Sequence, residues 1–372
     1  MAALVDIGKG EPDFHTPEYV KRAAHTAIDE NFTKYTPQPG IPELRTAIAR
    51  KVKEENSIEA SPGQVVVSCG GKHAVDNAVR CLVRPGDEVL IITPHWFAYV
   101  EQINLCGGTP VYVPARPENG YVPDAAEVRA AITARTRLLI LNSPNNPTGA
   151  VYPGTLLEAL ARTAIEHDFT VLSDEVYEKI VFDGARHVSI ASLNADIAAR
   201  TITVNSVSKT HAMTGWRIGY AVLPEKLADR VSAIQSVSTS APSAVSQRAA
   251  LAALTGDQSH VAAMTRAYAE RRGFVLEQVK QIPSLSVVPP AGTFYSFVDI
   301  GGLIGHTVSG KEVCDANAFT AALREEAGVS VVSGSGFGAP RHIRISFAVS
   351  LDALKEGFAR LKAFVLEEFT EQ

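Results

Sequence analysis

Short apolar segments alternate with amphipathic segments along most of this chain, and the alternation restricts the folds that it can adopt. The apolar segments are "QVVVSCGG", "EVLIITP", "TPVYVPA", "TRLLILNSP", "FTVLSDE", "RTITVNS" and "WRIGYAVLP". Stretches with helical spacing, such as "KHAVDNAVRCLV" and "PGTLLEALARTAIEHD", lie between several of them. Strands that are apolar throughout must be covered on both faces. The pattern therefore predicts an α/β fold with a mostly parallel sheet sandwiched by helices.

Residues 276–372 show a different pattern. "PSLSVVPPAGTFYSFVDI", "GVSVVSG" and "RHIRISFAVS" are typical of strands, and helices are predicted at Ala316–Ala327 and Leu351–Glu367. The extended segment "DIGKGEPDF" precedes the first sheet unit, and we expect it to join this second unit. The sequence thus predicts a large domain over residues 30–275 and a smaller α+β domain formed by residues 1–29 with 276–372.

Composition excludes several classes of protein. The chain has 372 residues, a formal net charge of −5 and a pI of about 6.1, so it lacks the basic character of a nucleic-acid-binding protein. Its first residues lack the pattern of a signal peptide, and no apolar run is long enough to span a membrane. Its four cysteines are scattered, which fits a reducing cytoplasm and shows no metal-type spacing. We expect no metal site.

Residues that could bind a ligand follow five of the predicted strands, at the point where each strand ends. They are Gly70, Gly71 and Lys72, then Trp96, then Asn146, then Asp174 and Tyr177, and finally Ser206, Ser208 and Lys209. Ligands of open α/β sheets bind beyond the carboxyl ends of the strands. These residue types together predict a site for a planar, phosphorylated, electron-withdrawing cofactor.

The same residues lie in motifs that resemble a known family. "GEPDFHTPE", "KYTPQPGIPELR", "CGGKHA", "NSPNNPTGAVY", "LSDEVYE", "SVSKTHAMTGWRIGY" and "RHIRISFAVS" resemble, in this order, the motifs of pyridoxal-phosphate (PLP) aminotransferases of fold type I, class I. The similarity is greatest to the bacterial subgroup of aspartate and aspartate/prephenate aminotransferases. Several motifs in the correct order, covering nearly the whole chain, are far more specific than any one of them.

The resemblance implies roles for the residues that would act on the cofactor ring. Lys209 resembles the Schiff-base lysine, and Asp174 the carboxylate that keeps the pyridine nitrogen protonated. Tyr177 and Asn146 would hydrogen-bond the phenolic oxygen, and Trp96 would stack on the ring. Each has a simpler reading: a surface lysine, a helix N-cap for Asp174, turn chemistry for Asn146 and core packing for Trp96. The catalytic set implied by the resemblance is Lys209, Asp174 and Tyr177.

The phosphate and the substrate would be held by a second group of residues. The resemblance implies phosphate contacts from Gly70, Gly71, Lys72, Ser206, Ser208, Arg217 and, across a homodimer interface, Tyr35. It also implies that Gly10, Lys72, Trp96, Asn146 and Arg344 bind the substrate. Arg344 would bind the α-carboxylate, with Arg341 as an in-strand competitor. Lys72 would bind the distal carboxylate, or alternatively serve only the phosphate or the helix start. Gly10 and Tyr35 have simpler readings as a turn glycine and a turn-flanking aromatic residue.

These roles predict a PLP-dependent aminotransferase of the EC 2.6.1 type. It would exchange the amino group of aspartate or glutamate with 2-oxoglutarate or oxaloacetate, and prephenate is a further candidate acceptor. Two alternatives use the same fold: a PLP-dependent lyase or synthase, and an aminotransferase for aromatic or other amino acids. Members of the family usually carry further residues before "GEPDF", often including a helix that embraces the partner subunit. We therefore expect a looser homodimer here. From the composition we expect neither a membrane nor a nucleic acid as partner.

Overall fold

The computed structural model describes residues 3–369. Its strands are β1 (Val5–Asp6), β2 (Val65–Ser68), β3 (Glu88–Thr93), β4 (Thr109–Pro114), β5 (Thr136–Asn142), β6 (Thr170–Asp174), β7 (Thr201–Ser206), β8 (Gly219–Val222), β9 (Ser286–Val287), β10 (Tyr295–Asp299), β11 (Thr307–Val308), β12 (Lys311–Glu312), β13 (Val329–Ser330), β14 (Val332–Ser333) and β15 (His342–Ser346). Its α-helices are α1 (Glu18–Asp29), α2 (Pro42–Asn56), α3 (Gly71–Leu82), α4 (Ala98–Leu105), α5 (Ala125–Ala130), α6 (Gly154–Glu166), α7 (Ala195–Ala198), α8 (Val207–Thr210), α9 (Glu225–Ser236), α10 (Ala244–Thr255), α11 (Ser259–Lys280), α12 (Ala316–Ala327) and α13 (Leu351–Phe369).

A seven-stranded sheet forms the centre of the molecule, with the strand order β2-β8-β7-β6-β5-β3-β4. Strands β3 to β7 pair in parallel, whereas β8 is antiparallel to both of its neighbours, β2 and β7. All seven apolar segments quoted from the sequence contain one of these strands. The prediction of a mostly parallel α/β sheet is confirmed.

Alternate residues of the central strands enter opposite layers of the core. In β5, Leu138 and Ile140 pack with α3, whereas Leu139 and Leu141 pack with α6. Successive side chains of a strand point to opposite faces, so a strand that is apolar at every position requires helices on both sides. A further layer, formed by α1, α2 and α10, covers β2 and β8.

The C-terminal part forms a smaller antiparallel sheet with the order β14-β15-β10-β9, covered by α11, α12 and α13. Near the N-terminus, β1 pairs in parallel with β13, with Val5 opposite Val329. Helix α1, which also precedes residue 30, instead packs against α10. The division at residues 29 and 275 stays a prediction. Helix α13 extends two residues beyond its predicted end, to Phe369.

None of the helices within residues 3–369 combines the length and the apolar character that crossing a membrane requires.

Candidate active site

A cavity of about 490 Å³ lies at the carboxyl edge of the large sheet, where the N-terminal segment and the small sheet also meet it. Residues from the ends of β5, β6 and β7 line it together with β10, β15 and the first turn of α3. Its lining residues are Lys9, Gly10, Glu11, Gly71, Lys72, Trp96, Phe97, Tyr99, Asn142, Asn146, Asp174, Val176, Tyr177, Ser206, Ser208, Lys209, Thr214, Arg217, Tyr295 and Arg344. The topology therefore brings together motifs that are far apart in sequence.

Lys209 lies in the short helix α8, directly after β7. The Ser206 hydroxyl caps this helix by accepting a hydrogen bond from the Ser208 backbone N–H at 3.1 Å. The Lys209 Nζ donates to the backbone carbonyl of Gly10. Burial lowers the pKa of Lys209, and the positive charges of Arg344 and Arg217 act in the same direction. A lowered pKa increases the neutral fraction of the amine, which is the form that attacks a carbonyl or accepts a proton.

Asp174 is the last residue of β6, and its carboxylate is buried. The Tyr99 hydroxyl donates to its Oδ2 at 2.7 Å, and Asn142 Nδ2 donates to its backbone carbonyl at 3.0 Å. Burial raises the pKa of Asp174 to about 6, although the Tyr99 hydrogen bond opposes this shift. Within residues 3–369 no cationic side chain forms an ion pair with this carboxylate. A buried carboxylate without a cation is costly, and a bound cationic N–H would compensate for that cost.

A cradle for an anion lies beside Lys209. Helix α3 begins after Gly70, which has φ of +89°, and the first turn of a helix has backbone N–H groups without intrahelical partners. Arg217 packs against Gly70 so closely that a Cβ there would overlap the guanidinium. Arg217 Nη1 donates to the Thr214 carbonyl at 2.7 Å, and Nη2 donates to the Cys69 carbonyl at 3.4 Å. With the hydroxyls of Ser206 and Ser208, these donors suit a phosphate.

Arg344 lies in the middle of β15 and is 7% exposed. Its Nη1 donates to Asn146 Oδ1 at 2.9 Å, and its Nη2 donates to the Gly8 carbonyl at 3.2 Å. The guanidinium carbon lies 4.1 Å from the centre of the Tyr295 ring. Tyr295 also shares a hydrogen bond of 3.0 Å with the hydroxyl of Tyr177. The competitor Arg341 is exposed and lies outside the cavity lining, so Arg344 is the arginine that can meet a carboxylate in the cavity.

Lys72 lies near the mouth of the cavity, over two aromatic rings. Its Nζ is 5.0 Å from the centre of the Trp96 ring and 5.9 Å from that of Phe97. Among residues 3–369 no carboxylate lies within ion-pair distance of it. Trp96 in turn packs edge-on against Tyr99, with ring centres 5.3 Å apart. The Lys72 ammonium is therefore available to an anion in the cavity.

Two predicted site residues lie outside the lining. Gly70 borders the cradle through its contact with Arg217, whereas Tyr35 is 98% exposed and lines a different surface groove. The other predicted residues, from Gly10 to Arg344, all line the cavity.

Several lining residues were not predicted from the sequence, chiefly Lys9, Glu11, Phe97, Tyr99 and Tyr295. Tyr99 follows Trp96 by three residues, and Tyr295 lies within the segment "PSLSVVPPAGTFYSFVDI" that was predicted as strand. Neither position signals a polar contact across the sheet. Glu11 lies inside the quoted segment "GEPDF", which could have suggested it; its carboxylate accepts the Thr214 hydroxyl at 3.0 Å.

A second group of ionisable residues is buried just after Asp174. Carboxylate and imidazole atoms of Glu175, Glu178 and His187 lie within 4.8 Å of one another. His187 Nε2 is 2.9 Å from Glu175, and the Lys51 ammonium from α2 contacts Glu178. Burial acts to raise the pKa of Glu178, but the charge and hydrogen bond of Lys51 outweigh it and lower the pKa to about 2. Lys51 thus pairs with Glu178, and His187 is hydrogen-bonded to Glu175.

Comparison with known proteins gives a consistent result. The model of the family "Aminotransferase class I and II" matches residues 2–361. The aspartate aminotransferase of Geobacillus stearothermophilus is 42% identical over 97% of this chain and 91% of its own length. The aspartate/prephenate aminotransferase of Cereibacter sphaeroides is 43% identical, with the same two coverages. The structure of Thermus thermophilus aspartate aminotransferase with maleate superimposes with a TM-score of 0.91 and 42% identity, covering 97% of this chain and 91% of that one.

Proposed function

The chain belongs to the class I and II aminotransferases, and from this we propose that it transfers the amino group of aspartate or glutamate to a 2-oxo acid, using PLP held at Lys209. The observation that carries the proposal is the convergence, in one cavity, of a lysine with lowered pKa, a buried carboxylate, an anion cradle and a buried arginine. Oxaloacetate and 2-oxoglutarate are the expected acceptors. Relatives named aspartate/prephenate aminotransferase support prephenate as a further acceptor.

The donor set of the cavity fits PLP. When bound, this group supplies an aldehyde carbon and an electron-accepting pyridinium ring. Asp174 would face the ring nitrogen, because its buried carboxylate lacks a cationic partner and would gain one there. Asn146 and Tyr177 would donate to the phenolic oxygen, and Trp96 would cover one face of the ring. The phosphate would be held by the backbone of Gly70, Gly71 and Lys72 and by the side chains of Ser206, Ser208 and Arg217.

The proton transfers are proposed for the Lys209 amine. Once a substrate is in place, a neutral amine can accept the α-proton and later return it, as general base and then general acid. Burial, with the charges of Arg344 and Arg217, lowers the pKa of Lys209 and so increases the neutral fraction of its amine. The Asp174 carboxylate would stabilise the positive charge of the protonated ring nitrogen. Tyr99 fixes the orientation of this carboxylate.

Substrate binding would use two cations at different depths of the cavity. Arg344, assisted by the backbone of Gly10, would bind the α-carboxylate. The α-carboxylate would replace Asn146 Oδ1 and the Gly8 carbonyl, which accept hydrogen bonds from the guanidinium in this structure. Lys72 would bind the distal carboxylate, because its ammonium faces the cavity without an acidic partner. Binding of an acidic side chain pairs this charge, whereas a neutral side chain leaves it unpaired.

Tyr35 supports a homodimer with shared sites. Its side chain is almost fully exposed and cannot reach the cavity of its own subunit as described, which fits a contact to the phosphate of the partner's site. We also propose the cytoplasm as location, because all four cysteines are free thiols.

The Lys209→Ala variant tests the proposal directly. Purified enzyme should form glutamate from aspartate and 2-oxoglutarate, and borohydride should bleach its visible band and attach the cofactor to Lys209. Lys209→Ala should lose both properties. Lys209→Arg, which keeps the charge, is the matched control and should lose them as well. Cofactor found on another lysine by mass spectrometry, or conversion of aspartate to alanine and CO2 without formation of glutamate, would contradict the proposal.

The Lys72→Ala variant tests the substrate assignment. We expect kcat/KM for aspartate to fall about 10- to 100-fold, because the distal carboxylate of the substrate loses its cationic partner, while kcat/KM for alanine changes little. Equal losses for aspartate, alanine and phenylalanine would show that Lys72 serves the cofactor alone.

A further inference from the structure

Phe97 is a large aromatic residue that stays 48% exposed at the mouth of the cavity, beside Lys72. We propose that Phe97 is a specificity-determining residue: its ring, together with Trp96, positions the Lys72 ammonium for the distal carboxylate of an acidic substrate. This inference rests on the proposed role of Lys72. Phe97 is a positioning residue in this scheme and acts only through Lys72.

The geometry around Lys72 supports this role. An exposed lysine loses rotamer freedom when its ammonium is fixed on a ligand, and this loss weakens binding. Two aromatic faces, with centres 5.0 and 5.9 Å from Nζ, attract the cation in advance and restrict where it lies. A carboxylate partner would also restrict it, but would neutralise the charge that must attract the substrate. Aromatic faces restrict the ammonium and leave its charge available.

Phe97 is itself held in place from both sides. Its ring centre is 5.9 Å from that of Trp96 and 6.3 Å from that of Phe337, which comes from the small-sheet part of the molecule. Phe337 is buried and lies 5.1 Å from the Arg344 guanidinium. Two phenyl rings therefore connect the cation proposed for the distal carboxylate with the cation proposed for the α-carboxylate. In this scheme the ring at position 97 fixes Lys72 relative to Arg344, and a dicarboxylic substrate must match that arrangement.

The Phe97→Leu variant removes the aromatic face but keeps an apolar side chain. We expect the ratio of kcat/KM for aspartate to kcat/KM for alanine to fall about two- to fivefold, the size of an exposed cation–π contact, mainly through KM. Phe97→Tyr keeps the face and should retain the ratio of the unaltered enzyme. Tyr112→Leu is the matched control, because Tyr112 is 49% exposed and lies outside the cavity lining.

A double-variant cycle separates positioning from a structural effect. If Phe97 acts through Lys72, adding Phe97→Leu to Lys72→Ala should leave the aspartate-to-alanine ratio of Lys72→Ala unchanged. Calorimetric titration of the holoenzyme with maleate, a dicarboxylate, should show the same two- to fivefold weakening in Phe97→Leu alone.

Three results would overturn the inference. The first is an unchanged aspartate-to-alanine ratio of kcat/KM in Phe97→Leu. The second is an equal further loss of this ratio when Phe97→Leu is added to Lys72→Ala. The third is a loss of kcat/KM confined to phenylalanine as donor, which would make Phe97 a direct contact for aromatic side chains. If Lys72→Ala itself lowers all donors equally, the proposed role of Lys72 fails first. A selective Lys72→Ala with an unselective Phe97→Leu refutes the Phe97 inference alone.

Discussion

At the scale of single residues, Asp174 carries a cost that the protein without cofactor must bear. Below pH about 4 the carboxyl is protonated in both the folded and the unfolded chain. Between pH about 4 and 6 the unfolded chain loses this proton, whereas the folded chain, with a pKa of about 6, retains it. The unfolded state then binds fewer protons, so stability falls as pH rises through this window.

Asp174→Asn should remove this pH dependence from the apoprotein. We expect the variant to equal the unaltered apoprotein in stability at pH 4 and to exceed it at pH 8 by up to about 3 kcal/mol, the equivalent of about two pKa units. Urea unfolding at both pH values measures the difference. Glu158→Gln, at an exposed acidic residue, is the control and should change neither value. A variant that is less stable than the parent at pH 8 would contradict this account.

At the scale of elements, the contact between Lys51 and Glu178 ties helix α2 to the segment that follows β6. Lys51→Met should destabilise the protein by about 3–5 kcal/mol, because it leaves a buried carboxylate without its cation. Because the pKa of Glu178 is lowered to about 2, the stabilisation by this pair is present above pH about 4.5 and is lost as pH falls towards 2. Chemical unfolding at pH 7 tests the magnitude. The double variant Lys51→Met/Glu178→Gln should recover much of the loss, and a double variant as unstable as the single one would refute the pairing.

The elements themselves were largely predictable from sequence, and their side-chain partners were not. Strand β5 is predicted to be a buried strand because four apolar residues follow one another in the sequence. In the sheet these residues lie alternately on its two faces. Lys209, Asp174 and Asn146 could be placed because each ends or follows such a strand. Tyr99 could not be paired with Asp174, since their contact joins α4 to β6 and depends on how the helix packs. For the same reason the aromatic surroundings of Lys72 became apparent only from the folded chain.

At the scale of the whole molecule, the shared-site dimer makes a prediction that one subunit cannot satisfy alone. Mixed dimers of a Tyr35→Ala subunit and a Lys209→Ala subunit should contain one complete site. In that site the Tyr35→Ala subunit supplies Lys209, and the Lys209→Ala subunit supplies Tyr35. We expect such mixtures to regain activity above that of either variant alone, at about half of the native activity per mixed dimer, since one of two sites is intact. Co-expression with two affinity tags isolates the mixed dimer, and sedimentation establishes its size.

Mixing Tyr112→Ala with Lys209→Ala subunits is the control, because Tyr112 is an exposed tyrosine outside the cavity lining. Absence of regained activity, or full activity in a sedimenting monomer, would place the function of Tyr35 within its own subunit or outside the site.

The position of strand β8 determines the order in which the large sheet can fold. It separates β2 from β7, and it returns Arg217 to the Cys69 carbonyl, 148 residues earlier in the chain. Until β8 has been synthesised and inserted, β2 has no partner in the sheet and β7 has an unpaired edge, and the closure of so long a loop is slow. The phosphate cradle spans this same seam. We therefore expect the cofactor to bind only after β8 has been inserted, because its phosphate would contact residues on both sides of this seam.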